Sequence, residues 1–452
     1  MTLPDDTLTG ALPDPACAAG PDLLDRWQPL HDWVRSRIDS GIPPGPKCNL
    51  GRIGPRGMGR PDAAGAPVFG VQFAAQDRLS LSAHPAICEA AHAAIAARGV
   101  HSAGPVAMMG LSDLAERLEA RIAGFLGLAG ATVFPTGWAA GYGAVRTLVR
   151  PDDHVLIDAV APGCLQQGAT AATRHVHRFA HLSTDAAARR LIRLRAEYPL
   201  GGILVVTRAL FGQDSESPDL PALQALCRAH RATLLVDVAE DLGATGPGGR
   251  GVPGLQGLHG AIDVLVGSFS RTFAANGGFV AASHPALQDA LRLTCGLLAS
   301  SSALSPVQAA VVLAALDIVE GVEGEWRRAR LLRHVTALRE GLADHGYTVP
   351  GVPGTVVPVL LGDLAQARRM TAAMLEAGVF VHLLEPPAVP QGRCRWCLQP
   401  MAAHEDSDIA RLLDAAETLR ARFPATAAPR DQISRPNSPR RRISDRRNAA
   451  TG

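Results

Sequence analysis

The stretch VLVGSFSRTFAANGGFVA, residues 264–281, sets two short apolar runs on either side of a polar turn. DVLVG at 263–267 and GFVAA at 278–282 are short and β-rich, which predicts buried strands. The turn between them holds Ser268, Ser270 and Arg271, so polar chemistry is delivered at the end of a buried strand.

Outward from this stretch the same pattern repeats. ATVFP at 131–135, HVLID at 154–158, GILVV at 202–206 and TLLVD at 233–237 are further candidate strands. Between them, Asp113 to Phe125 and Leu220 to His230 place apolar residues at helical spacing after an Asp, Ser or Pro start. Strands alternating with helices predict an α/β fold with a mainly parallel central sheet, over residues 61–290. Residues 1–60, rich in Pro, Gly and Asp around one amphipathic stretch (Leu23 to Ile38), are expected to form an N-terminal arm with a helix. Residues 291–425 carry a long helical pattern, then TVVPVLLG at 355–362, a helix near 364–377 and FVHLLEP at 380–386, which predicts a smaller α+β domain. The tail, 426–452, has many arginines and almost no apolar content, and is expected to be disordered.

At 452 residues the chain is long enough for more than one domain. A net charge of +2, with 47% hydrophobic and 19% charged residues, gives no reason to expect a nucleic-acid partner. The acidic start MTLPDDTLTGALPD is unlike a signal peptide, and no apolar run is long enough to span a bilayer, so cytoplasmic residence is expected. Eight cysteines spread over the whole length fit reduced thiols rather than a disulfide framework. Of the 44 basic residues one is lysine, Lys47, and the other 43 are arginine. GC-rich codon usage accounts for that at surface positions, but arginine does not replace lysine where amine chemistry is needed.

Several runs together resemble the α-oxoamine synthases. These are FAAQDRLSLSAHPAICEAA from Phe73, GVHSAGPVAMMGLSDLAERLEARIAGFLG from Gly99, FPTGWAAGYGAV from Phe134, HVLIDAVAPGCLQQGAT from His154, LLVDVAEDLGATGPGGRG from Leu234, the opening stretch, and PPAVPQGRCRWCLQPMAAHEDSDIARLL from Pro386. They come in the family's order and cover roughly residues 65–420. The resemblance implies the pyridoxal-phosphate-dependent transferase fold type I, with a smaller α+β C-terminal domain. It also implies decarboxylative condensation of an amino acid with an acyl-CoA, on a cofactor held as a Schiff base by lysine.

In the family that lysine follows a serine just before the Gly-Gly strand; here the pair is Ser270 and Arg271. A guanidinium stays protonated above pH ~12 and is a poor nucleophile, whereas a lysine amine starts from about 10.4 and is easily tuned. Covalent pyridoxal phosphate is therefore not expected at this position. Lys47, in IPPGPKCNLG, reads as a solvated arm residue. The resemblance further implies that the place of the ring-stacking histidine is Pro162. It implies that Asp237 is kept as partner of the pyridinium nitrogen, while Glu240 replaces the histidine beside the phenolic oxygen. The substrate-carboxylate arginine, seven residues before His404, becomes Cys397, with Arg395 two residues earlier.

Other parts of the family's cofactor site persist in the sequence. Thr136, Gly137 and Trp138 stand at a strand-to-helix turn able to receive a phosphate, and Ser268, Ser270, Ser301 and Ser302 match the family's phosphate cup. For each serine, ordinary capping or turn bonding is the other reading. Two readings stay open for the charged groups near the cleft. Either Glu240, Asp241, Asp214 and Glu216 form a new acid and base set with Arg271 and Arg208, or Arg271 pairs with Asp237 or Glu240 and fills the vacated volume as an internal ion pair. Cys394 and Cys397 form one CxxC without a second pair, and His175, His177 and His181 read as strand-edge residues, so no metal site is expected.

These features lead to one expectation and two alternatives. The chain is expected to be a catalytically degenerate homologue, a pseudoenzyme or partner subunit, forming a homodimer or a heterodimer with an active paralogue. The first alternative is an enzyme that uses an acyl thioester by lysine-independent chemistry. The second is an ordinary pyridoxal-phosphate-dependent acyltransferase or aminotransferase.

Overall fold

A computed structural model of the chain describes residues 8–10, 12–13, 20–44, 47–61 and 65–424; the expectation for the tail 426–452 falls outside them. In chain order the strands are β1 (Cys48–Asn49), β2 (Arg56–Arg60), β3 (Val68–Phe73), β4 (Gly130–Phe134), β5 (His154–Asp158), β6 (Val176–Phe179), β7 (Ile203–Arg208), β8 (Thr233–Asp237), β9 (Val264–Ser268), β10 (Gly278–Ala282), β11 (Val357–Gly362), β12 (Val379–Val381), β13 (Leu383–Leu384) and β14 (Cys394–Leu398).

Seven of them form the central sheet, in the order β4-β10-β9-β8-β7-β5-β6. It is parallel except for β10, which runs antiparallel to both β4 and β9. Every residue of β5 and β10 is buried. Alternation along each strand feeds two apolar clusters on opposite faces of the sheet. On β7, Val205 belongs to one, while Leu204 and Val206 belong to the other. Six of the strands read from sequence are these central ones, displaced by at most two residues.

Helices cover both faces, and several begin where a short polar side chain stands. Ser112 caps the helix Asp113–Leu126 through the Ala115 N–H at 3.1 Å, and Asp219 caps Leu220–Ala229 through the Ala222 N–H at 2.9 Å. The C-terminal helix Asp406–Arg422 is opened by a reciprocal box between Glu405 and Asp408.

Two smaller sheets complete the fold. One, in the order β1-β2-β3-β12, pairs Phe73 in parallel with Val381; the other has the order β11-β14-β13. The N-terminal segment holds the helix read around Leu23 to Ile38 and, beyond that reading, a strand. Its helix is Gln28–Asp39, and RGMGR at 56–60 is a strand. Two glycines and no apolar alternation hide that strand in the sequence, and its partner is β3, itself paired with residues more than 300 positions away. FVHLLEP divides into β12 and β13. Among the described residues no helix is long and apolar enough to cross a membrane.

Candidate functional site

The C-terminal ends of the parallel strands, and the start of β10, share one edge of the sheet, where ligands collect in open α/β folds. Asp158 ends β5, Arg208 ends β7, Asp237 ends β8 and Ser268 ends β9. Here the buried Glu240 and Arg78 meet the partly exposed Arg208 and Arg271.

Glu240 is the hub. It lies three residues past β8, and its side chain is only 5% exposed. Arg271, from the β9–β10 turn, places Nε 3.2 Å from Glu240 Oε2 and donates from Nη1 to the Ala239 carbonyl at 3.3 Å. Arg208 stands 3.9 Å from the same carboxylate and 3.5 Å from Asp237. Arg78, fully buried, donates to Glu240, to the Thr355 carbonyl at 2.7 Å and to Gln399 Oε1 at 2.5 Å. The Arg78 N–H in turn reaches the Arg271 carbonyl at 2.9 Å, so backbone and side chain bind the two arginine segments together.

Electrostatics follow from this crowding. Burial alone raises the pKa of Glu240, but Arg271, Arg78 and Arg208 outweigh it and hold the carboxyl below the usual glutamate range. Burial pulls Arg78 down to about 10 against the pull of Glu240. The neighbouring Asp241 is fully buried; one oxygen accepts the Val252 N–H at 2.6 Å and the other has no partner, and burial pushes its pKa up to about 7.

Around Gly137 the glycines set the geometry. A Cβ on Gly137 would lie 2.6 Å from Ser268 Cβ, and one on Gly278 would strike the Gly137 backbone. The N-terminus of the helix Gly137–Leu148 is thereby pressed against Ser268, whose hydroxyl lies 2.8 Å from that of Ser270. Thr136 spends its side chain on capping, accepting the Ala139 N–H at 3.0 Å, while Trp138 is half-exposed and stacks on Tyr142. Ser302 is exposed in the segment after Gly296–Ser300 and makes no hydrogen bond to the Ser268–Ser270 pair.

Pro162 precedes the helix Gly163–Ala172 and caps it only through its carbonyl, which accepts the Leu165 and Gln166 N–H groups at 3.0 and 3.1 Å. Arg395 on β14 is committed internally. It pairs with Asp214 and donates to the Gln213 carbonyl at 3.1 Å. Cys397, two residues on, is buried toward the Gly212 carbonyl, and burial pushes its thiol up to about 12, which removes it as a nucleophile at neutral pH. Cys394 is pushed up to about 11, and three-residue spacing along a strand turns the two sulfurs to opposite faces.

His177 lies on β6, the edge strand of the central sheet, with His175 just before it and His181 just after it. His181 bonds Asp158 at 2.8 Å at the sheet edge, whereas His175 and His177 pack against the buried His154 on β5. Among the described residues no group of His, Cys, Asp and Glu is arranged to hold a metal ion, and the seven cysteines there are free. The sequence reading missed Arg78. It lies in the run from Phe73, and nothing local in DRLSLSAHP marks it, since its partners are distant in the chain.

Comparison with known proteins agrees with this architecture. Residues 70–415 match the family described as Aminotransferase class I and II. The 8-amino-7-oxononanoate synthase of Geobacter metallireducens is 36% identical over 338 residues, covering 74% of this chain and 84% of that one. The Salmonella typhimurium enzyme of the same name is 32% identical, covering 76% and 88%. Among solved structures, Sphingomonas wittichii serine palmitoyltransferase superposes with a TM-score of 0.82 at 27% identity, over 89% of this chain and 99% of that one. A lysine-to-alanine variant of the S. paucimobilis serine palmitoyltransferase, described with a bound PLP–myriocin aldimine, gives the same score, identity and coverage. From the strand order, the site at the sheet edge and these relatives, the chain belongs to the class I and II aminotransferase family, as an α-oxoamine synthase homologue of pyridoxal-phosphate fold type I.

Proposed function

We propose that this chain is an α-oxoamine synthase homologue that holds no covalent cofactor and serves as a non-catalytic subunit beside a lysine-bearing relative. The observation that carries the reading is Arg271, ion-paired to Glu240 at the position where the family's resemblance calls for a lysine.

The residues present fit pyridoxal phosphate at one end only. Gly137 and the Ser268–Ser270 pair offer a helix N-terminus and hydroxyls suited to a phosphate. Asp237 remains, but it already faces Arg208 and accepts the Ala239 N–H at 2.7 Å. Pro162 offers no aromatic face, and a carboxylate held ionised by three guanidiniums sits where a phenolate would approach. At the reacting end stands a guanidinium in place of an amine. The group as the family binds it does not fit, and no chemical step is derived through it.

A homodimer or a heterodimer with an active paralogue is the expected assembly, since active sites in the resembled family form between subunits. Cytoplasmic residence and the absence of a nucleic-acid partner belong to the same reading. Co-expression with a lysine-bearing paralogue tests it. A copurifying pair whose synthase activity depends on this chain supports it; homodimers alone, with the paralogue's activity unchanged, sink it.

A second reading is favoured by the partial exposure of Arg208 and Arg271, 17% and 21%, at the sheet edge. There the guanidiniums act as an oxyanion or carboxylate clamp on an acyl thioester. Cofactor-free thioester turnover, lost in Arg271→Ala, distinguishes it. The relative described with a ligand aldimine in a lysine-to-alanine variant favours a third reading, an ordinary transferase that binds cofactor without the lysine. Quinonoid absorbance on mixing with pyridoxal phosphate and an amino acid would support it.

A further inference from the structure

A cleft of 480 Å³ opens between the helix Gln28–Asp39 with the segment after it, the helix Leu364–Glu376, and strands β12 and β13. None of Arg271, Glu240, Asp237 or Ser268 lines it. Its volume falls in the range of about 300–1,000 Å³ common to small-molecule sites.

The floor is rigid. Glu385 accepts from Arg37 at 3.0 Å and from Arg368 Nε at 3.0 Å and Nη2 at 2.9 Å. Both guanidiniums also lie over the ring of Trp33, at 4.9 and 5.6 Å from its centroid. Arg368 further donates to the Leu8 and Gly10 carbonyls, so the earliest described residues are fastened to the same floor. The walls are apolar, with Ile42, Pro44, Leu375, Val379 and Phe380 among them.

Lys47 stands on this cleft. It is the only lysine of the chain. Its side chain is reached by solvent and, among the described residues, makes no hydrogen bond or ion pair. The cleft walls crowd it enough to draw its pKa below the ordinary lysine value, and burial together with Lys47 draws His382 below the ordinary histidine value. Arg37 and Arg368 both pair with Glu385, while Lys47 has no ion-pair partner among the described residues and is the uncommitted cation; the cleft's other carboxylate, Glu376, is exposed at the end of the helix Leu364–Glu376.

We infer that this cleft is a binding site for a small amphipathic monocarboxylate, its apolar body against the Leu375–Phe380 wall and its carboxylate on the Lys47 ammonium. A monoanion suits the site better than a phosphate, because one ammonium is the only free cation among the described lining residues, and a dianion calls for several converging donors. A neutral apolar ligand would leave the ammonium unpaired beside it. The inference stands apart from the cofactor-site reading and survives its failure.

Calorimetry with octanoate and, separately, octanol tests it on the full chain. Octanoate is expected to bind at least about tenfold more tightly than octanol, the size of one charge-assisted hydrogen bond. Lys47→Met is expected to remove that preference and Lys47→Arg to keep most of it; the position is solvent-reached, so the fold is not at stake. Ala372→Trp is expected to block binding by filling the cleft. As an independent readout, octanoate protects Lys47 from reductive methylation, a reaction read at one side chain because the chain has one lysine. No octanoate binding, equal affinity for the alcohol, or undiminished binding in Lys47→Met overturns the proposal.

Discussion

Glu240 balances three arginines, of which Arg78 has no access to water. Removing one partner of a buried ion pair leaves the other charge uncompensated, at a cost of about 3–5 kcal/mol. Glu240→Ala is therefore expected to lose stability on that scale in urea titrations, and a loss under about 1 kcal/mol would mean that water already reaches the cluster. Because the folded pKa of Glu240 is depressed, its contribution is present above the unfolded glutamate pKa of 4.5 and lost as pH falls through the lower folded value. Asp241 has the opposite sign. Its pKa is raised from 3.8 to about 7, so it binds a proton in the fold that the unfolded chain has released, and stability declines as pH rises across that window. Up to about 4 kcal/mol is at issue over the window. Asp241→Asn should flatten the slope of unfolding free energy between pH 5 and pH 8; an unchanged slope would assign the titration elsewhere.

At the scale of elements, the turn from β4 into the helix Gly137–Leu148 is the most constrained part of the site. Thr136→Ala removes the cap on Ala139 and is expected to cost about 1 kcal/mol, with Thr136→Ser close to neutral. Gly137→Ala drives a methyl onto Ser268, where overpacking costs about 1–3 kcal/mol. Thermal melts of the two variants separate a lost cap from a steric clash, since only the second should be relieved by Ser268→Gly. The elements also explain what the sequence made legible. TLLVD and HVLID are strands over the very residues read, because a strand buried on both faces writes an unbroken apolar run. RGMGR left no such mark, since its pairing depends on β3 and β12 from distant parts of the chain. The Arg271–Glu240 pair was one of two open readings, because residue types announce opposite charges without announcing contact. Arg78 was missed for the same reason: its partners Thr355 and Gln399 are more than 270 positions away.

For the molecule as a whole, the family is shown, while the loss of the Schiff-base lysine is the proposal. The fold covers 89% of the chain with a TM-score of 0.82 to a serine palmitoyltransferase, and a fold of this kind does not by itself fix the chemistry of its site. The measurement that bears most directly on this account uses the Lys47→Met chain, in which no lysine side chain is left. It is incubated with excess pyridoxal phosphate, reduced with borohydride, and the absorbance spectrum and peptide masses are recorded. No phosphopyridoxyl group is expected on any peptide from the sheet edge, including the one holding Arg271. A reduced cofactor adduct on a side chain of that edge would contradict the proposal.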